Sequence, residues 1–240
     1  MKIKPFRILF VLVMMIASNP LFSAAKINVL IITGGHEFDR KSFFEMFDSF
    51  KNISFREITH PGAYSKLAEI EPSSFDAVVF YDMPAMITDN EKKTFYNLVE
   101  AGKGLLFLHH SICSFQEWAD YKTFVGGKYY EKKRDEAFGA SSYQHDVNFS
   151  VHITDKTHPV TRGIQDFKIV DEVYGNLEVL PNVQPLLSTD HPKSNRLIGW
   201  TLIKDKSRIV YIEPGHDNNA WSNPIYQKLI SQAISYVAGK

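Results

Sequence analysis

The sequence predicts an α/β fold, a mainly parallel sheet flanked by helices with an antiparallel extension. Three observations predict it. Short, near-continuous apolar runs such as "INVLIIT", "FDAVVFY" and "GLLFL" have the pattern of strands buried on both faces. Amphipathic stretches alternate with these runs, as the crossovers between parallel strands require. Beyond residue 145 the pattern becomes strict alternation, which marks a half-exposed and therefore antiparallel strand.

"INVLIIT" (27–33) is the first buried strand, closed by "GGHEFD". In "RKSFFEMFDSF", Phe43, Phe47 and Phe50 recur at helical spacing. "ISFREI" is a short alternating strand and "FDAVVFY" (75–81) a further buried one. "TDNEKKTFYNLVEAG" starts a helix with Thr88 and Glu91 as a capping box. Phe95, Leu98 and Val99 form its apolar face, and Gly102 stands where it should stop. "GLLFL" is the next strand, and it runs directly into His109 and His110. Residues 126–144 are polar and Gly-bearing and read as a long loop, a class that is often functional. "HDVNFSVHI" then alternates, with Val147, Phe149, Val151 and Ile153 on one face. "RLIGWTLI" and "RIVYIEP" are two strands joined by the turn "KDKS". The last helix opens with Asn223 as cap and Pro224 at its first position, and Ile225, Leu229, Ala233 and Val237 give its buried stripe. The first part is thus of the flavodoxin-like, doubly wound kind. Residues 26–240 make one domain, with no internal repeat.

The first residues are a targeting signal rather than fold. "MKIKPFR" is basic, "ILFVLVMMIA" apolar, and "SNPLFSAA" ends in small residues. Cleavage is expected after Ala25, releasing a periplasmic or secreted protein that no longer touches the membrane; an uncleaved anchor is the competing reading. Cys113 is the sole cysteine, so an internal disulfide and a Cys-rich metal site are both excluded. Lys+Arg and Asp+Glu are 27 each, and no basic stripe with interleaved aromatics occurs, so nucleic acid is not an expected partner. Oligomeric state is not legible; a homo-oligomer is compatible with the sequence.

Ligands of open parallel sheets sit beyond the carboxyl ends of the strands. Four polar clusters fall at such ends: Gly34, Gly35, His36 and Glu37; Tyr81 and Asp82; His109, His110 and Ser111; Gly215, His216 and Asp217. Their convergence on one sheet edge is the main argument for a site. A single strand-end histidine is more often a structural hydrogen-bonder, and Gly34 and Gly35 also suit a tight turn. "GGHEF" lacks the spacing of a dinucleotide fingerprint, so no nucleotide cofactor is expected. "DEVY" offers Asp171, Glu172 and Tyr174 as contacts to a sugar or to a metal-bound histidine, against a solvated strand edge as the plainer reading. Asn218, Asn219 and Trp221 suit a sugar ring, against simple closure of a core.

The segments "VLIITGGHEFD", "GKGLLFLHHS", "HPVTRGIQDFKIVDEVY" and "RIVYIEPGHDNNAW" together resemble the trehalose-utilisation, or ThuA-like, family over essentially the whole mature chain. The resemblance implies a fold similar to class I glutamine amidotransferases and a role in carbohydrate catabolism, notably of 3-keto-glycosides. In those amidotransferases a strained turn after a buried strand carries a nucleophilic Cys. Here "LHHS" occupies that elbow, and Cys113 falls too late and is expected to point away. His216 matches the amidotransferase histidine. Glutaminase chemistry is therefore not expected.

The expected site has His109, His110 and His216 as acid/base groups. Gly35, Glu37, Asp82, Asp171, Glu172, Tyr174, Asn218, Asn219 and Trp221 are expected substrate contacts. His36, His109, His110 and His216 are the candidate ligands of a divalent metal, zinc or manganese. Of His109 and His110, adjacent on the chain, one is expected to face the pocket and one to pack beneath it. The expected partner is a small carbohydrate, and the expected reaction is that of a lyase or hydrolase on 3-keto-glycosides. A non-catalytic sugar-binding protein and a metal-dependent hydrolase of a non-sugar substrate are the competing readings.

Overall fold

The apolar run at the start of the mature chain forms β1 (Ile27–Gly34), buried on both faces: Val29 and Ile31 enter one core, Leu30 and Ile32 the other. The computed structural model describes residues 26–135 and 139–240; the expected signal segment, 1–25, lies outside them. After β1 come α1 (Arg40–Asp48), β2 (Ile53–Thr59), α2 (Ala63–Ala68), β3 (Ala77–Asp82), α3 (Asp89–Glu100) and β4 (Gly104–Leu108). A tight 3-10 turn over His109–Cys113 follows, then α4 (Tyr121–Val125) and β5 (Gly127–Lys128). The remainder is β6 (Ser142–Ile153), β7 (Phe167–Gly175), β8 (Glu178–Val179), β9 (Gln184–Ser188), β10 (Leu197–Lys204), β11 (Ser207–Ile212), α5 (Asn218–Trp221) and α6 (Pro224–Val237).

Nine strands make one sheet in the order β2-β1-β3-β4-β11-β10-β9-β6-β7. The first five are mutually parallel, and the remaining pairings, from β11–β10 to β6–β7, are antiparallel. The order 2-1-3-4-5 of the parallel half is the flavodoxin-like one, with its switch point between β1 and β3. Helices α1, α5 and α6 cover one face; α2, α3 and α4 cover the other. Among the described residues no helix is long and apolar enough to cross a membrane.

Local chemistry sets the boundaries as the sequence predicts. Thr88 and Glu91 form a complete capping box on α3, and Asn223 caps α6 ahead of Pro224. The four alternating apolar residues of β6 enter the core. Ile225 departs from expectation: it is exposed, and Tyr226 takes its place in the buried stripe of α6. The helix begins at Pro224, which turns its first residue toward solvent and its third inward. The 126–144 stretch is not wholly loop, because β5 pairs with β8 across it. The sequence did not announce α2, α4, β9 or the full length of β7.

Candidate active site and metal centre

A cavity of about 260 Å³ opens where the parallel and antiparallel halves meet. Its wall includes His36 after β1, Met83 after β3, His109, His110 and Cys113 after β4, Glu172 and Tyr174 from β7, and His216 after β11. Tyr129, Glu131, Tyr143 and His145 complete it. The convergence of strand ends is therefore real for His36, His109, His110 and His216.

Both adjacent histidines face this cavity, contrary to the expectation that one would lie beneath it. The reason is backbone geometry. His109 has φ +48, the left-handed region, so the chain turns sharply instead of continuing the alternation of β4. Such a conformation costs roughly 1–3 kcal/mol and persists only where neighbours fix it. Here the His109 Nδ1–H donates to the Glu213 carbonyl at 2.8 Å, and the Tyr211 hydroxyl donates to the His109 carbonyl at 3.2 Å. Cys113 also departs from expectation, since the same turn brings it to the cavity wall. Burial pushes its thiol well up, so it is held as a neutral thiol and is not a ready nucleophile.

His109, Glu172 and His216 form a tight triangle. His109 Nε2 lies 2.9 Å from Glu172 Oε2 and 3.1 Å from His216 Nδ1, and His216 Nδ1 lies 3.3 Å from the same Oε2. Because Nδ1 of His109 keeps its proton toward Glu213, loss of the second ring proton would leave a lone pair on Nε2 for a metal. The Tyr174 hydroxyl lies 3.0 Å from that nitrogen. The three atoms of the triangle stand close enough together for a shared proton or a metal to bridge them. Tetrahedral ligands at about 2.0–2.1 Å from an ion stand roughly 3.3–3.4 Å apart, so a slight outward relaxation of this triangle admits one. The carbonyl partner on the far nitrogen of His109 is the usual support of a ligating histidine. Burial works to raise the Glu172 carboxyl, but hydrogen bonds and charges from His109 and His216 outweigh it and hold it well below its ordinary range. The Glu172 hydrogen bond raises His216 against its burial.

His110 is different in kind. It is 3 % exposed, neither ring nitrogen has a side-chain hydrogen-bond partner among the described residues, and burial, which the Tyr81 backbone only partly offsets, pushes it well below the ordinary imidazole value. Its ring stacks on His36, with centroids 4.8 Å apart, and tilts against Tyr81 at 4.3 Å. It is a neutral imidazole in the cavity wall, with both ring nitrogens buried between its neighbours. Neither His110 nor His36 joins the ligand triangle; Glu172 takes the third position.

Several other expected contacts prove to be scaffold. Asp171 is buried, not a solvated edge, and accepts from the backbone N–H of Gly215 at 2.6 Å and of His216 at 3.0 Å. It thereby fixes the loop that carries His216. Trp221 is 1 % exposed and donates its Nε1–H to the Gly215 carbonyl, so it supports that loop from the core rather than offering a face to sugar. Gly215 itself has φ +133, and a Cβ there would collide with the Tyr226 hydroxyl. Asn218 and Asn219 lie exposed in the first turn of α5, off the cavity wall. Asp82 is fully buried and holds His60 Nε2 at 3.0 Å and the Tyr64 hydroxyl at 2.5 Å. Gly35 and Glu37 border a neighbouring cleft of about 360 Å³ that shares His36 with the main cavity. A Cβ on Gly35 would stand 2.6 Å from the Met83 backbone, so that glycine is required for the close approach of the two loops.

A family model described as trehalose utilisation, ThuA, matches residues 28–237. The chain belongs to the ThuA family. A putative ThuA-like protein from Parabacteroides merdae is similar in structure, with a TM-score of 0.76 at 17 % identity over 90 % of this chain and 91 % of that one. A second, from Bacteroides uniformis, gives 0.67 at 17 % identity over 90 % and 93 %. A beta-galactosidase from Bacillus circulans shares the fold over 88 % of this chain but only 31 % of its own, with a TM-score of 0.57 at 9 % identity. None of the curated proteins matches. At these identities the structures establish a shared fold, and the ThuA neighbours have the same mixed sheet.

Proposed function

We propose that this ThuA-family protein is an enzyme that cleaves 3-keto-glycosides by metal-assisted elimination. One observation carries the reading: a buried, neutral His110 and three residues able to hold a cation, His109, Glu172 and His216, line one small cavity. A simple sugar-binding wall has no use for either. The cavity volume falls just under the range of about 300–1,000 Å³ for drug-sized ligands, which suits a single sugar ring.

A ketone at C3 acidifies the C2–H bond. His110, neutral at physiological pH, takes that proton as general base. The electron pair passes into the C2–C3 bond and onto the ketone oxygen, then returns to form C1=C2 as the C1–O bond breaks. The departing oxygen takes a proton from solvent or from a protonated His110. Addition of water across C1=C2 completes net hydrolysis. A zinc or manganese ion held by His109, Glu172 and His216 would supply polarisation of the ketone oxygen. The Glu213 carbonyl holds His109 from its far nitrogen, and Asp171 holds the loop that carries His216. The position corresponding to an amidotransferase nucleophile is a histidine, and the Cys113 thiol is raised by burial, which supports elimination chemistry over glutaminase chemistry. The basic, apolar and small-residue order of residues 1–25 supports export, and hence action in the periplasm or outside the cell.

The test is to incubate the mature protein with a 3-keto-disaccharide in D2O, with zinc, with manganese and with EDTA. Metal-dependent consumption with deuterium entering at C2 is expected. Unchanged substrate under every condition overturns the reading, and metal-dependent cleavage of simple esters alone points to a hydrolase of another class.

A further inference from the structure

The cavity wall includes a histidine that the strand pattern places in the wrong part of the molecule. Along β6, residues 147, 149, 151 and 153 face the core, so simple alternation would send His145 into the core with them. The pairing with β7 prevents this. Val147 pairs with Asp171 and Gln144 with Val173, so two residues, His145 and Asp146, stand opposite the single residue Glu172. That is a β-bulge, and Asp146 carries it with φ +55. The extra residue reverses the facing of everything before it. Tyr143 now pairs with Tyr174, and both line the cavity. His145 Nδ1 comes to 3.3 Å from Glu172 Oε1, and its ring to 4.8 Å from the ring of His216.

The two oxygens of Glu172 are thereby divided. Oε2 belongs to the triangle with His109 and His216, while Oε1 faces His145. A carboxylate free at Oε1 can rotate or offer both oxygens to a cation; one held at Oε1 offers a single oxygen in a set direction. We propose that His145 is a positioning residue for the metal centre, fixing Glu172 as a one-oxygen ligand, and that the bulge in β6 serves to carry it there. The inference rests on the metal reading of His109, Glu172 and His216. His145 is half exposed, so its replacement removes little packing.

The experiment compares the full-length mature protein with His145→Ala and His145→Asn, using zinc and cobalt(II) as probes. Zinc affinity is measured by competition with a chromophoric chelator, and coordination by the visible spectrum of the cobalt(II) form. His145→Ala is expected to weaken zinc by about 10–100-fold, the range for losing a group that orients a ligand. Its cobalt spectrum should weaken in the d–d region as Glu172 adds its second oxygen. His145→Asn, whose side-chain amide reaches much the same point as Nδ1, should restore most of both signals. Unchanged zinc affinity and cobalt spectrum in His145→Ala overturn the positioning role while leaving the metal centre standing. Failure of the unmutated protein to take up either ion overturns the metal centre and this role together.

Discussion

The two halves of the cavity wall are built by different rules. On the parallel side, His36, His109, His110 and His216 all follow the carboxyl ends of buried strands, where the fold delivers side chains to one edge by topology alone. On the antiparallel side, Glu172, Tyr174, Tyr143 and His145 come from within β6 and β7, where a side chain's face depends on register. The parallel half supplies four imidazoles; the antiparallel half supplies a fifth, His145, and the carboxylate that two of the four meet. A one-residue change in β6 would move His145 and Tyr143 off the cavity wall while leaving the strand-end histidines in place.

The largest effect should come from separating the two chemistries on the parallel side. His110→Phe keeps the ring's shape against Tyr81 and His36 but removes both nitrogens. Turnover of a 3-keto-glycoside should fall about 10²–10⁴-fold with zinc affinity retained, as single-turnover kinetics and chelator competition would measure. Loss of both properties would break the division between base and metal centre.

Trp221→Ala tests whether that residue is scaffold. Removing a fully buried Trp should cost about 3–5 kcal/mol in urea unfolding, and the loop of His216 loosens with it. Full stability with reduced sugar affinity would restore Trp221 as a contact.

The pH dependence of the metal-free protein is smaller and has a definite sign. The lowered Glu172 carboxyl contributes stability that is complete above its unfolded value of about 4.3 and is lost as pH falls through the folded value. The raised His216 contributes stability that is complete below about 6.5 and is lost as pH rises through its folded value. This pair therefore stabilises the metal-free form most between those limits. Zinc needs the unprotonated imidazoles, so the rise in melting temperature on adding zinc should grow from pH 6 to pH 8 in a thermal-shift series. A pH-independent rise would place the ion elsewhere. The smallest effect is Thr88→Ala, which removes the α3 capping box far from the cavity and should cost about 1 kcal/mol without altering metal uptake.

The parallel half was legible because its signals are local. Apolar runs, the Thr88–Glu91 box and the Asn223–Pro224 cap are each contained within a few residues. The antiparallel contribution was legible only in part, because register is a relation between distant segments. "DEVY" offered Asp171, Glu172 and Tyr174 to a sugar or a metal-bound histidine, and Glu172 and Tyr174 do line the cavity, but nothing in it says that Asp171 would hold backbone amides instead. His145 was invisible for the same reason, since a bulge at Asp146 reverses its facing. The shared orientation of His109 and His110 follows from a single positive φ, a conformation that a histidine's identity does not disclose.

We propose that His109, Glu172 and His216 together hold one cation. The direct measurement is metal content after dialysis against zinc or manganese, compared with Glu172→Gln, which keeps the side chain's shape but removes its charge. One equivalent per chain in the unmutated protein, with loss of retained metal in Glu172→Gln, is the predicted result. No retained metal in the unmutated protein, or equal retention in both, would contradict it.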